Sequence, residues 1–438
     1  MRWHRTLLIT GILLLALGLR IAEVQRTPYR PINDAGSYLT LASQIARTGD
    51  YSTSHRPGTG AGGTRGPSAY FPPGFPYFLA AVDLIGGHST PRDGAVHPAR
   101  ISQAVLGAAI VGLVGLVALE TFGATVALAA ALLAAVYPVL VELSGVLVAE
   151  NLFAALVLAA LYAILRARRS GRPYAWIAGA GALGGLATLT HVNGVVLLVP
   201  LLAGALAARR TVSAPLVLAC VFVAVLVPWT LRNQSQLHRF VPVSDETGIT
   251  LAGTYNRASA ANPAVPYKWR LFYGIPGERA LIRESHRLTE PELSSRLQSQ
   301  ALRYIGAHPL APLAVLFHNT LRLLELEGTF AWRASAAAIA LPGGTARVGV
   351  YSFWALCLLA LAGLATARAR RAPLWLWTAP LLLWLSVALV NAETPRFREP
   401  VDPFLVLLAG CAVAAAAGRL RSWSASLRLQ RRAGAPVG

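Results

Sequence analysis

"LAPLAVLFHNTLRLLELEGTF", Leu310 to Phe330, is apolar enough to cross a membrane once, and whether it does so sets the side on which everything after it lies. Its His318, Arg322, Glu325 and Glu327 argue against a crossing, because ionisable side chains are costly in the hydrocarbon core. Parity argues the same way. With a crossing here, the cluster Arg368, Arg370 and Arg371 would move to the side opposite the other arginine clusters. The stretch therefore reads as an interfacial helix.

Around it the chain is a polytopic membrane protein. Of 438 residues, 55% are hydrophobic and 13% charged, against about 25% charged in an ordinary soluble domain. Ten apolar segments read as spans, at roughly 5–23, 99–119, 123–140, 150–166, 174–190, 194–208, 214–231, 347–367, 373–390 and 401–418. The N-terminus has a basic start and an apolar run with no convincing cleavage site, so it reads as a retained signal-anchor. Cys220, Cys357 and Cys411 all lie in apolar runs, which excludes an external disulfide framework, and no Cys-x-x-Cys metal pattern occurs.

The net charge of +20 would suit a nucleic-acid partner, but the basic residues fall in short clusters between apolar runs. With the N-terminus inside, sixteen arginines occupy the inner segments, from Arg2 and Arg5 through Arg166–Arg172 to Arg432, against one acid, Glu120. The other 18 of 19 acids fall on the outer side, the asymmetry of positive-inside topology. The expected organisation is one integral-membrane domain over 1–438. It has an external loop at 24–98, an external region at 232–346 and a cytoplasmic tail at 419–438. Both termini would be cytoplasmic.

The polar elements thus gather on one face. In "RPINDAGSYLTLASQIARTGDY" (30–51), Pro31 stops the preceding chain and Gly49 ends an amphipathic helix. Asp34 there is either a helix cap or a general base, and composition alone favours the cap. "RPGTGAGGTRG" (56–66) reads as a glycine-rich turn region. Residues 75–87 are too short and too interrupted to span and read as interfacial, and in "AYFPPGFPYFLA" (69–80) Tyr70, Phe71, Phe75, Tyr77 and Phe78 form an interfacial aromatic belt or a wall for a lipid tail or sugar. Glu150 opens a span, where an acid is either functional or simply reaches water; Glu142 nearby is a weaker candidate. His191 and Asn193 sit in a tight turn, more simply polar turn residues than ligands. Arg232, Arg396 and Arg398 lie outside, against the positive-inside preference. Each is an interface anchor, a salt-bridge partner (for the last two, of Glu393 or Glu399) or a ligand for a lipid phosphate.

Four stretches in order, "NDAGSYLTLA", "FPPGFPYFLA", "PWTLRN…FVPVSDETGITL" and "PRFREPVDPFLVLLAG", resemble the GT-C glycosyltransferase superfamily. The branch is the one that holds protein mannosyltransferases, the lipid A aminoarabinose transferase and related bacterial enzymes. The resemblance implies an all-α, GT-C-like bundle of about ten transmembrane helices with interfacial helices in the external loops. It implies a bacterial cytoplasmic-membrane enzyme with an external active site. Such an enzyme moves a sugar, with inversion, from a polyprenyl-phosphate donor to a cell-envelope acceptor; membrane lipids, and no nucleic acid, complete its partners.

By the same resemblance Asp34 is the catalytic base and Glu150 a second acid. Arg232, Arg396 and Arg398 are donor-phosphate ligands, and Tyr38, Tyr70 and His191 contact substrate. No cofactor is implied, with a divalent metal left open. Two departures matter. Ala35 follows Asp34 where many relatives have a second acid, which weakens a metal or paired-acid mechanism. His191 stands where some relatives have Lys or Arg. A transporter or lipid-linked sugar flippase is the alternative reading, against which no inverted repeat or broken-helix pair is found; a third is a non-catalytic scaffold of the same family.

Overall fold

The computed structural model describes residues 2–52, 66–86, 96–271, 274–275, 278–285 and 287–433. The glycine-rich turn region at 56–66 lies outside the described residues except for Gly66. Regular structure among the described residues is helical, apart from one isolated bridge between Ser52 and Pro67.

A helix stands at each segment expected to cross. These are α1 (Arg2–Arg26), α4 (Val96–Phe122), α5 (Ala124–Val136), α7 (Glu150–Ala167), α8 (Pro173–Thr190), α9 (Leu198–Arg209), α10 (Ser213–Leu237), α17 (Gly343–Leu364), α18 (Leu374–Ala388) and α19 (Asp402–Ala433). Seven stretches among the described residues are long and apolar enough to span by themselves; α9 is one of them when joined to the 3-10 turn Val192–Leu197 that precedes it. Helices α5 and α18 are shorter. Helix α19 continues past the expected span end, through the start of the expected tail, to Ala433. The first loop expected to be external carries α2 (Asp34–Thr48) and α3 (Gly74–Gly86). A short α6 (Pro138–Leu143) precedes α7. The second region expected to be external carries α11 (Thr247–Thr254), α12 (Arg257–Ala260), α13 (Arg279–Ser285), α14 (Glu290–Ala307), α15 (Ala311–Leu323) and α16 (Thr329–Ala338).

The stretch that set the topology forms α15, which is 13 residues long. At 1.5 Å per residue it reaches about 20 Å, short of the roughly 30 Å hydrocarbon core. It is amphipathic. Leu310, Leu313 and Phe317 are exposed, while Val315, Asn319 and Arg322 are buried. The polar residues are satisfied within the protein: Arg322 donates to both oxygens of Glu327, at 2.6 and 2.7 Å, and to Asn319.

The segment expected as one span at 123–140 is two helices, broken at Tyr137 and restarted by Pro138 at the first helical position. Proline has no N–H for the carbonyl of Ala134 four residues back. Arg20, wholly buried on α1, supplies the missing donors to the carbonyls of Ala134 (3.2 Å) and Ala135 (3.1 Å).

Between membrane helices, lipid tails are as apolar as leucine, so close backbone approach drives packing more than area does. Gly181 on α8 shows this: a Cβ there would sit 2.5 Å from the carbonyl oxygen of Leu218 on α10. At the opposite end from the external loops, Glu120 is the lone acid among the arginine clusters. It is held by Arg166 (2.9 Å) and Arg169 (3.0 Å), so the exception to the charge asymmetry is a neutralised one.

In the aromatic segment 69–80, Tyr77 is exposed and Tyr70 and Phe78 are half-buried, while the other two rings are packed inside. Phe71, Phe75 and Leu79 are buried with Tyr38, Leu41 and Tyr51 in a small core of the first external loop. Gly74 lets this unit dock on the membrane helices, since a Cβ there would lie 2.5 Å from Oγ1 of Thr190 and 2.9 Å from the carbonyl of Leu189.

Candidate active site

Helix α2 begins at Asp34, its cap position is Asn33, and Asn33 makes no side-chain cap bond. Its Nδ2 instead donates to the carbonyl of Ala338 at 2.8 Å. Asp34 does not act as the cap. Its Oδ2 accepts from Nη1 of Arg396 at 2.6 Å, across 362 residues of sequence. Gly49 closes the helix in the left-handed region (φ 77°), as its position suggests.

Arg396 lies on a single 3-10 turn, Arg396–Arg398. Its Nε donates to Oε1 of Glu150, also at 2.6 Å, so one guanidinium joins the acid of the first external loop to the acid at the start of α7. The two contacts differ in environment. The Glu150 side chain is 1% exposed and that of Asp34 is 40% exposed. Breaking a buried pair by removing one partner costs about 3–5 kcal/mol, whereas an exposed pair is worth about 0–1 kcal/mol. Glu150 is therefore the firm anchor of Arg396, and Asp34 the loose one.

Beside Glu150 lies a narrow cleft, with room for little more than a water molecule, lined by Glu150, Phe153, His191, Asn193, Phe397 and Leu383, among others. Nε2 of His191 is 3.9 Å from Oε1 of Glu150, and its ring packs near Phe153 and Phe397. Desolvation, outweighing the nearby Glu150 charge, holds the imidazole below its ordinary pKa, so it is neutral at pH 7. Nδ1 of His191 and Oε2 of Glu150 are buried without a hydrogen-bond partner.

Tyr38 is buried against Phe71 (4.8 Å between ring centres) and Phe75 (5.0 Å). Burial, and then the charge of Asp34, pushes its hydroxyl well above the ordinary range and keeps it protonated. Tyr70 is partly exposed and packs on Phe71; its carbonyl accepts from Ser244.

Two expected phosphate ligands are engaged elsewhere. Arg232 donates to the carbonyls of Tyr51 (2.5 Å) and Ser68 (2.6 Å) and lies over the rings of Trp229 and Tyr51, tying the first external loop to the end of α10. Arg398 is fully buried and paired with Glu325 (2.8 Å) and Asp402 (3.1 Å). Glu393 and Glu399, the salt-bridge partners considered from sequence, do not serve. Glu393 pairs with Lys268 at 2.5 Å, and Glu399 is buried with both oxygens unpartnered. Glu142 lines a different cleft, with Arg398 and Glu325. No group of three or more His, Cys, Asp or Glu suited to a metal ion occurs among the described residues.

One site residue escaped the sequence reading. Glu246, in "PVSDETG", stands in the field of Asp34, Arg396 and Glu150, at the first turn before α11. Burial, with the Asp34 and Glu150 charges and against Arg396, pushes its carboxyl up to about 8. Glu246 stands three residues past Val243, inside the resembling "FVPVSDETGITL", but nothing local separates it from its neighbour Asp245. Together the residues offer a carboxylate with a cation beside it, both joined through Glu150 to a cleft that also holds a neutral imidazole.

Residues 71–231 match the sequence model of the dolichyl-phosphate-mannose-protein mannosyltransferase family. No curated protein matches the chain in sequence. Among solved structures, the oligosaccharyltransferase AglB from Archaeoglobus fulgidus, in complex with an inhibitory peptide and a dolichol-phosphate, aligns at 14% identity with a TM-score of 0.58. The alignment covers 100% of this chain and 53% of AglB. The apo form of the same protein aligns at 16% identity with a TM-score of 0.56, over 99% and 52%. ArnT from Cupriavidus metallidurans bound to undecaprenyl phosphate aligns at 17% identity with a TM-score of 0.42, over 93% and 78%. The chain thus spans about half the length of AglB, with which it shares a fold.

Proposed function

This chain is a multi-pass membrane protein of GT-C fold, related over residues 71–231 to the dolichyl-phosphate-mannose-protein mannosyltransferases, and from that premise we propose that it is a glycosyltransferase. It takes a sugar from a polyprenyl-phosphate donor and passes it, with inversion, to a hydroxyl of a cell-envelope acceptor on the outer side of the cytoplasmic membrane. The observation that carries this reading is the contact of Asp34 with Arg396, whose Nε also holds the cleft-lining Glu150.

In the reaction the acceptor O–H bond breaks and its proton passes to Asp34. The acceptor oxygen bonds to the anomeric carbon from the face opposite the phosphate. The carbon–oxygen bond to the phosphate breaks, and its electron pair leaves on the phosphate oxygen, which Arg396 stabilises. A polyprenyl phosphate is already a leaving group, so no nucleotide-binding fold is required. Support for a lipid-linked donor comes from AglB, whose structure was solved with a dolichol-phosphate.

The transporter reading is the weaker one. A transporter needs a polar path through its body, whereas here the body between the two polar ends is filled by the largest apolar cluster, including Val157, Leu158, Leu161, Leu218 and Leu407.

The test is sugar transfer from a labelled polyprenyl-phosphate donor into the envelope fraction of membranes carrying wild type or Asp34→Asn. Loss of transfer at normal protein level is the expected result. Unchanged transfer in the variant removes Asp34 as the base, and uptake of the labelled lipid without transfer favours the transporter.

A further inference from the structure

Arg396 answers two needs at once. It binds the carboxylate proposed as the base, and it is the cation placed to receive the departing phosphate. A guanidinium can hold a phosphate through two parallel N–H bonds along its outer edge. That edge includes Nη1, the nitrogen now on Asp34; Nε, on the inner edge, holds Glu150.

We infer that the donor phosphate and Asp34 compete for the outer edge of Arg396, so that a seated donor releases the base and transfer follows a compulsory order, donor before acceptor. This rests on the transferase reading above. Three features of the site carry it.

The first is the asymmetry of the two ion pairs. Glu150 is buried and Asp34 is 40% exposed, so an arriving anion displaces Asp34 and leaves the Glu150 contact in place as a pivot. The second is the rigidity of the turn beneath. Arg398, two residues on, is fixed by Glu325 and Asp402, so the exchange needs rotation of one side chain and no backbone shift. The third is position. Arg396 is bonded to Glu150, and Glu150 lines the cleft with Phe397 and Pro400, so the guanidinium stands beside it.

The consequence is a site that couples deprotonation to donor occupancy. With Arg396 on Asp34, the carboxylate oxygen that would take a proton is held in a charge-assisted bond. With Arg396 on phosphate, that oxygen is free and the leaving group is stabilised in the same movement. The released polyprenyl phosphate has the same headgroup chemistry, so it holds the base open until it departs.

The experiment measures binding of undecaprenyl phosphate to the purified full chain in detergent, with undecaprenol as the neutral control. It compares wild type with Asp34→Asn, Asp34→Ser, Glu393→Gln and Arg396→Gln. Removing the competitor raises the fraction of Arg396 open to phosphate, so both Asp34 variants bind more tightly, by about fivefold for an exposed pair at the upper end of its range. Glu393→Gln removes a carboxylate three residues from Arg396 that bonds Lys268, and stays within about twofold of wild type. Arg396→Gln loses the preference for phosphate over the alcohol.

Binding that depends on Arg396 but is unchanged or weakened by both Asp34 substitutions overturns the competition and leaves the transferase reading standing. Equal tightening by Glu393→Gln overturns it too, as a general field effect. Equal affinity of wild type for the phosphate and the alcohol takes down the donor assignment, and the competition with it.

Discussion

Arg396 and Arg398 stand two residues apart on one 3-10 turn and grip different halves of the protein. Arg396 reaches Asp34 and Glu150, each at 2.6 Å, beside the cleft. Arg398 reaches Glu325, Asp402 and the carbonyl of Leu323, and its guanidinium lies 3.5 Å from the centre of the Phe353 ring. Asp402 in turn accepts from Tyr137 at 3.0 Å, and Glu325 from Thr394 at 3.0 Å. The second arginine therefore sets where the first one stands.

Arg398→Met should be among the most damaging single substitutions. It leaves two buried carboxylates, Glu325 and Asp402, without their cation, a loss of roughly 3–5 kcal/mol. Thermal unfolding in detergent reads this directly. Arg398→Lys should recover only part of it, because an ammonium lacks the fork that serves two carboxylates and a carbonyl at once. A Met variant as stable as wild type would mean that the network contributes nothing to holding the turn.

Gly74→Ala tests the docking of the first external loop. The added methyl would lie 2.5 Å from Oγ1 of Thr190 and 2.9 Å from the carbonyl of Leu189. Overpacking of this kind costs about 1–3 kcal/mol. Removing the hydroxyl with a second change, Thr190→Ala, should restore only part of the loss, because the Leu189 carbonyl remains. Full restoration in the double variant would show that the backbone contact is not limiting.

Much of this architecture was legible in the sequence. Apolar length and arginine clustering mark membrane helices because the bilayer imposes both, and a helix stands at every segment they indicated. Helix α2 could be placed from Pro31 and Gly49 because turn and cap residues act locally. The division of labour among the arginines was not legible. Arg232, Arg396 and Arg398 look alike in the chain, and what separates them are partners far away in sequence: Asp34 is 362 residues from Arg396, and Glu325 is 73 from Arg398. Glu246 was missed for the same reason, since its environment is made by Asp34, Glu150 and Arg396 and not by its neighbours. The kink at Tyr137 could have been read from Pro138, but the donor that repairs it, Arg20, comes from another helix.

Orientation is open to a labelling test. In a chain with Cys220, Cys357 and Cys411 replaced by Ala, single cysteines at Ser170 and Arg239 lie beyond opposite ends of the bundle, the first half-buried and the second exposed. If the arginine clusters face the cytoplasm, an impermeant maleimide labels the cysteine at 239 in intact cells and the one at 170 only after lysis. The reverse pattern would place the proposed site in the cytoplasm and exclude an external acceptor.

The pH dependence of donor use should pass through Glu246. Burial, with Asp34 and Glu150 nearby and Arg396 opposing, raises its carboxyl to about 8, so the folded protein holds this acid neutral at pH 7. The sign for stability follows. The contribution of this group is fully present below the ordinary carboxyl value of 4.5 and is lost as pH rises through about 8. For activity, ionisation above pH 8 adds a negative charge beside Asp34 and Glu150 just where an anionic donor must enter, so donor KM should climb on the alkaline side while kcat changes less. Glu246→Gln keeps the neutral, hydrogen-bonding shape and has no proton to lose, so its KM should stay level from pH 7 to pH 9. A wild-type rise in KM that persists unchanged in Glu246→Gln would assign the alkaline limb to another group. The variant also separates field from contact: its KM at pH 7 should match wild type, because both then present an uncharged side chain to the donor.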